Sequence, residues 1–162
     1  MRWVKIAVLI LLLAWSGVFL FHKIDLTTSD LGRHIKNGEE ILTGNFQVLY
    51  TNYYSYTNPD YPFVNHHWLF GVVFYWLWKT VGFSGLQLFF IILSLVTFWF
   101  FFDLARKNTG WKIAIPAALF LIPLIAERTE VRPEAFSYFF AGIFLWILWR
   151  RKWPWTLPFL ML

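Results

Sequence analysis

Apolar and polar positions fall in long alternating blocks along this chain, and the blocks define its predicted elements. A first apolar run covers Trp3 to Phe21, close to the roughly twenty residues that one helical bilayer crossing needs. Further runs follow at Trp68 to Val81, Leu86 to Leu104, Ile113 to Ala126 and Phe136 to Trp149, and another, "WPWTLPFLML", begins at Trp153. Between the first two runs lies "TTSDLGRHIKNGEEILTG", where Leu31, Ile35, Gly38 and Leu42 recur at helical spacing. This predicts a short amphipathic helix on a membrane surface, capped by Thr28 or Ser29, with Asp30 in its first turn and Gly44 and Asn45 at its end. The following "FQVLYTNYYSYTNPDYPFVNHHW" reads as loop or short strand, because Pro59 and Pro62 forbid a helix there.

Composition sharpens the class. At 59% hydrophobic and 23% aromatic, the chain carries more apolar surface than one soluble core of 162 residues could cover. An all-α integral membrane protein is therefore expected. There is no cysteine, which removes disulfides and thiolate metal sites. The formal charge of +5 does not indicate nucleic acid, because the cations cluster at the ends of apolar runs, where lipid-embedded chains carry them. Arg2 and Lys5 at the head of the first run resemble a secretory signal. Its exit, "FLFHKIDL", offers no small-residue cleavage site, so a retained anchor is expected.

Charge also predicts topology. Arg2/Lys5, Arg106/Lys107/Lys112 and Arg150/Arg151/Lys152 share the cytoplasmic side only if Trp68 to Val81 lies along the interface instead of crossing. That segment is short for a span, is bounded by "NHH" and "GFSG", and carries Trp68, Tyr75, Trp76 and Trp78, which suit headgroup depth. The expected map is a multi-pass protein of the plasma or inner membrane with its amino terminus cytoplasmic. Spans cover about 3–21, 86–104, 113–126 and 136–149, with a partial one at 153–162, and an outer loop of about 22–85 holds two interfacial helices. Pro116 and Pro123 predict a kinked or partly inserted third crossing. Residues 1–162 are expected to form the N-terminal part of one transmembrane domain.

Three groups could carry chemistry. On a helix, Asp30 shares a face with Arg33, His34 and Asn37, and a buried carboxylate there could take a proton from an attacking hydroxyl. The plainer reading is a helix-dipole partner beside an interfacial histidine. His66 and His67, with Asp60 or Asp30, could hold a divalent metal, but the spacing matches no strong metal signature and adjacent side chains point apart. A histidine that hydrogen-bonds a phosphate or the loop is the favoured alternative. The turn "ERTEVRPE" packs five charges into eight positions. Glu127, Arg128, Glu130, Arg132 and Glu134 are either a wet turn or a paired site, with Arg132 suited to clamp a phosphate. No Walker, dinucleotide-binding or zinc-protease motif is present.

Taken together, "SDLGRHIKNGEEIL", the "YSYT" loop, "NHHWLFGVVFYWLWKTVG" and "RPEAFSY" resemble the front end of GT-C superfamily integral membrane glycosyltransferases. That superfamily includes the dolichyl-phosphate-mannose protein mannosyltransferases and the lipid A aminoarabinose transferases, and the likeness is greatest to a bacterial branch of GT-C-like membrane proteins. The resemblance implies a GT-C-like helical bundle and transfer of a sugar, with inversion, from a polyprenyl-phosphate-linked donor to an acceptor hydroxyl on the outer face. Asp30 would be the catalytic acidic residue. Arg33, His34, His66, His67, Arg128, Arg132 and Glu134 would bind substrate or phosphate. The implied partners are the lipid-linked donor, membrane lipids and an acceptor glycan, lipid or protein, and no nucleic acid. Better-known members carry a second acid after the first and an "HPPL"-like motif, where this chain has Leu31 and "HHWL", which leaves acceptor and divalent metal open. A non-catalytic subunit of a glycan or lipid assembly complex keeps the same fold. A transporter fragment fits less well, since Lys79 and Asp103 fall near segment ends.

Overall fold

The computed structural model describes residues 2–21, 24, 26, 30–126, 130–151 and 153–160. Its helices are α1 (Arg2–Leu20), α2 (Leu31–Leu42), α3 (Trp68–Thr109), α4 (Trp111–Ala126), α5 (Glu134–Arg150) and α6 (Leu157–Leu160), with short 3-10 turns at Phe46–Leu49 and Pro154–Thr156. Among the described residues, extended pairing is limited to one antiparallel bridge, Thr51 to Pro62. The regular elements of the described residues are all helices. α1 and α3 are long and apolar enough to cross a membrane, and α4 is a shorter apolar helix.

α3 is two helices joined across Gly82, whose backbone (φ 67°, ψ −172°) lies where only glycine sits without strain. The break falls inside "GFSG", where the sequence signals a boundary. α4, by contrast, runs on through Pro116 and Pro123 as one helix. The chain divides into two compact units, one of residues 1–23, 89–129 and 134–162, the other of 24–88 and 130–133.

In the first unit, α1 packs along α4. Its core is Leu12, Phe102, Ala114, Ala118 and Ile122, with Val8, Leu9, Phe98 and Trp111 laid against it. The alanines supply a flat strip that lets the two helices approach. α5 meets the second half of α3 through Gly142, where a Cβ would lie 3.2 Å from the Phe101 ring, and through the Trp99, Phe100 and Trp146 rings. The outward flanks stay apolar: Trp3, Ile10, Leu11 and Val18 of α1 and Phe120, Leu124 and Ile125 of α4 are exposed. Members of the three cation groups, Lys5, Arg106, Lys107 and Arg150, come together in this unit. Lys5 and Arg106 both sit over the Trp111 ring, at 5.9 and 5.2 Å. Arg106, Lys107 and Arg150 all pair with Asp103.

The second unit is built around α2 and the first half of α3, with Leu31, Val48, Phe70, Phe74, Leu86 and Val131 buried. The Thr28 and Ser29 caps expected for α2 lie outside the described residues. Asp30 is itself the N-cap position and makes no side-chain cap bond, so it sits one step before the first turn in which it was expected. The C-terminus closes as expected at Gly44 and Asn45. Gly44, at φ 90°, donates its N–H to the Ile41 carbonyl and Asn45 donates to that of Glu40 at 2.9 Å, the paired bonds of a Schellman end.

Candidate functional site

The second unit holds six of the eight residues singled out from the sequence: Asp30, Arg33, His34, His66, His67 and Arg132. Glu134 opens α5 in the first unit, and Arg128 lies outside the described residues. What fixes the geometry of the group is a close approach that the apolar pattern does not announce. α2 touches the start of α3 backbone to backbone at Gly38 and Gly71. A Cβ at Gly71 would stand 2.5 Å from the His34 carbonyl oxygen, and one at Gly38 would run into the Gly71 carbonyl and lie 2.9 Å from the Tyr75 Cβ. Neither glycine has room for a side chain.

This contact decides which side of α2 faces inward. Leu31, Ile35 and Gly38 are buried as expected, but so are His34 at 4% and Asn37 at 5% exposure, while Leu42, expected in the stripe, is exposed. The expected convergence of Asp30, Arg33, His34 and Asn37 on one face therefore divides. His34 and Asn37 go into the unit. The Asp30 carboxylate stays 71% exposed and pairs with Arg33 at 3.3 Å, so the burial expected of it is absent. The reason is that four polar positions at i, i+3, i+4 and i+7 span a broad arc, and the Gly38 contact cuts that arc in two.

His34 packs its ring edge-on against Phe70 at 5.0 Å and His67 at 5.8 Å. His66 and His67, expected to point apart, have ring centroids 4.0 Å from each other. The chain reaches them through a tied loop. Asn52 donates to the Tyr61 carbonyl, Phe63 to that of Tyr50 and Asn65 to that of Leu49, at 2.9–3.1 Å, which returns the chain to the start of α3. Three imidazoles thus line up along one junction, and two of them were not expected to meet. No group of three or more His, Cys, Asp or Glu with metal-binding geometry occurs among the described residues. Arg132 donates from Nε to Glu130 at 2.6 Å and pairs with it a second time through its terminal nitrogen. It is half exposed, a fork already engaged on one side.

A second polar network closes the far end of α2. Lys36 bridges Glu39 at 2.7 Å and Glu40 at 3.1 Å, and Asn45 donates to both Glu40, at 2.8 Å, and the Tyr53 hydroxyl. The hydrogen bond from Asn45, and then that from Lys36, hold the Glu40 carboxyl below its ordinary value, while bonds to Glu39 and Glu40 raise Lys36. Partial burial, then the charge of Glu40, pushes the Tyr54 phenol up to about 12. The stability lent by Glu40 is full above the carboxylate's usual 4.5 and is lost as pH falls through its lowered value. That lent by Lys36 is full below 10.5 and is lost as pH rises through its raised value. Amide-exchange protection at Gly44 and Asn45 is accordingly expected to be higher at about pH 7 than at about pH 3, and equal protection would remove this network from the helix end.

Sequence reasoning missed a third constellation. Asp103, set aside as a charge near a segment end, is 1% exposed and accepts bonds from Arg106, Lys107 (2.9 Å), Arg150 (2.6 Å) and the Trp146 indole (3.1 Å). A signal for it exists in the sequence: Asp103 is the one acidic residue between Asp60 and Glu127, inside an apolar run. Compared with known proteins, the chain matches no family model, no curated protein and no solved structure.

Proposed function

We propose that this chain is part of an integral membrane glycosyltransferase of GT-C type, moving a sugar from a polyprenyl-phosphate-linked donor to an acceptor hydroxyl at the outer membrane face. Embedding in a bilayer is supported by the first unit, where exposed apolar flanks end in a cluster of cations and tryptophans, the charge pattern of a lipid-facing bundle with its basic end in the cytoplasm. In that arrangement α1 and α4 start, and α3 and α5 finish, on the cytoplasmic side. Because the chain has no cysteine, the topology is directly testable. A cysteine at the exposed Ser84 is expected to react with an impermeant reagent from outside, and one at Asn108 only after permeabilisation; the reverse pattern would overturn the map.

The observation that carries the transfer reading is the Asp30 carboxylate: exposed, at the head of a helix whose other face is locked by the Gly38–Gly71 contact, and held by Arg33. A base must be reachable by its substrate, and the exposed Asp30 carboxylate is, with Arg33 as its ion-pair partner. In the proposed reaction the carboxylate accepts the proton of the acceptor hydroxyl as that oxygen bonds to the anomeric carbon. The bond from that carbon to the phosphate oxygen breaks on the opposite side, inverting the centre. Negative charge gathers on the departing lipid phosphate, where Arg132 or an imidazole of the His66–His67 pair supplies positive charge or hydrogen bonds.

Asp30→Asn keeps the helix head nearly isosteric and removes the proton acceptor. It is expected to lower glycan product by about a hundredfold or more with protein level and α2 packing unchanged. Unchanged product at normal protein level would instead assign the chain to a non-catalytic role in a glycan or lipid assembly complex.

A further inference from the structure

The Asp103 constellation lies in the first unit and takes no part in the proposed transfer. Its charge is unbalanced. One carboxylate serves three cations, both its oxygens are engaged, and the sequence has no other acid from Tyr61 to Ala126 or from Phe136 to Leu162. Glu134, the other described acid of the unit, begins α5, whose last residue is Arg150. The three cation side chains are each 27–30% exposed, so their heads are neither buried with Asp103 nor free in solvent.

Aromatic rings hold the two arginines in place. The Arg106 guanidinium lies 5.2 Å over Trp111 and that of Arg150 lies 5.0 Å over Trp146, whose indole also bonds Asp103. The Arg150 Nε is enclosed and has no hydrogen-bond partner among the described residues. Asp103 thus works as a clamp that draws like charges together against their repulsion, leaving most of their donors unspent on the described residues. Trp149 adjoins Arg150, Trp153 has its ring 6.4 Å from that of Trp146, and both are exposed, at the end of helices with apolar outer flanks. Two surplus positive charges, preorganised donor forks and a rim of tryptophan suit a singly charged phosphodiester whose acyl chains run along those flanks.

We infer that the Arg106, Lys107 and Arg150 group, gathered by Asp103, binds the headgroup of an anionic phospholipid at the basic end of the apolar bundle. The inference rests on the bilayer embedding proposed above and not on sugar transfer. It makes the cation end a lipid site as well as a topology signal. Nucleic acid is disfavoured because the same cations sit among tryptophans at the foot of apolar flanks.

The test is lipid retention by the full-length protein, purified in mild detergent with equal phosphatidylglycerol and phosphatidylcholine and read by native mass spectrometry. Wild type is expected to retain phosphatidylglycerol preferentially. Lys107→Gln, which leaves both arginines on Asp103, is expected to retain it about fivefold more weakly, the effect of one cation near an anionic headgroup. Equal retention of the two lipids by wild type would overturn the inference, whether or not the variant folds. So would displacement of phosphatidylglycerol by millimolar inorganic phosphate, which would reassign the group to a free anion. Recovery of the chain in the soluble fraction of washed membranes would overturn the embedding itself, and with it both proposals. Loss of lipid preference with intact sugar transfer would fail this inference alone.

Discussion

Asp103→Asn is expected to destabilise the protein by about 3 kcal/mol, because it removes the one anion that three clustered, partly enclosed cations share and leaves their like charges facing one another. The carboxylate is 1% exposed, and its polar partners among the described residues are three cations and the part-buried Trp146 indole. Asparagine would keep two lone pairs for Trp146 or an arginine but none of the charge, and its amide donors would confront cations. The contrast that isolates the mechanism is Lys107→Gln. It removes one of three cations, leaves Arg106 and Arg150 in place, and is expected to cost about 1 kcal/mol or less. Denaturation of the detergent-solubilised chain, followed by tryptophan fluorescence, checks both. An Asp103→Asn protein as stable as wild type would mean that the cations spread into solvent and that Asp103 does not gather them.

Gly38→Ala is expected to cost about 3 kcal/mol, at the upper end of the range for overpacking, and to release α2 from α3. The added methyl would meet the Gly71 carbonyl and the Tyr75 Cβ, and backbone cannot rotate away as a side chain can. Gly71→Ala drives its methyl to 2.5 Å from the His34 carbonyl oxygen and is expected to behave alike. The control lies on the same helix. A Cβ at Gly32 would meet none of the described residues within 4 Å, so Gly32→Ala is expected to be neutral or to stabilise by up to about 1 kcal/mol through helix propensity. Amide exchange across α2 separates the outcomes: faster exchange in Gly38→Ala and slower or equal exchange in Gly32→Ala. Equal exchange in both would show that the two helices do not meet at these glycines. The glycosyl-transfer reading adds a second readout, since release of α2 would also loosen Asp30, and Gly38→Ala is then expected to lose activity along with packing.

The helices were legible because each rests on local information. Runs of apolar residues, Pro59 and Pro62 in the loop, Gly82 inside "GFSG" and Gly44 at the close of α2 act through backbone sterics and period, which the order of residues carries directly. The cation groups were recognisable from the order of residues, and Lys5, Arg106 and Arg150, one from each, come together around Trp111 and Asp103. Candidate site residues were recognisable by type, and six of eight fall in one compact unit.

Facing was decided elsewhere. The order of residues alone put Asp30, Arg33, His34 and Asn37 on one arc of α2, but whether that arc looks in or out depends on which neighbour comes closest, and Gly38 against Gly71 settled it by admitting α3 where no side chain stands in the way. Likewise Asp103 reads in the chain as one acid near the end of an apolar run. Only packing brings it within reach of Arg150 and Trp146, more than forty positions away, and makes it the centre of a charge cluster. Period and composition act over a few residues. Close approach and charge sharing join residues far apart in the chain, and those contacts exist only once the helices have met.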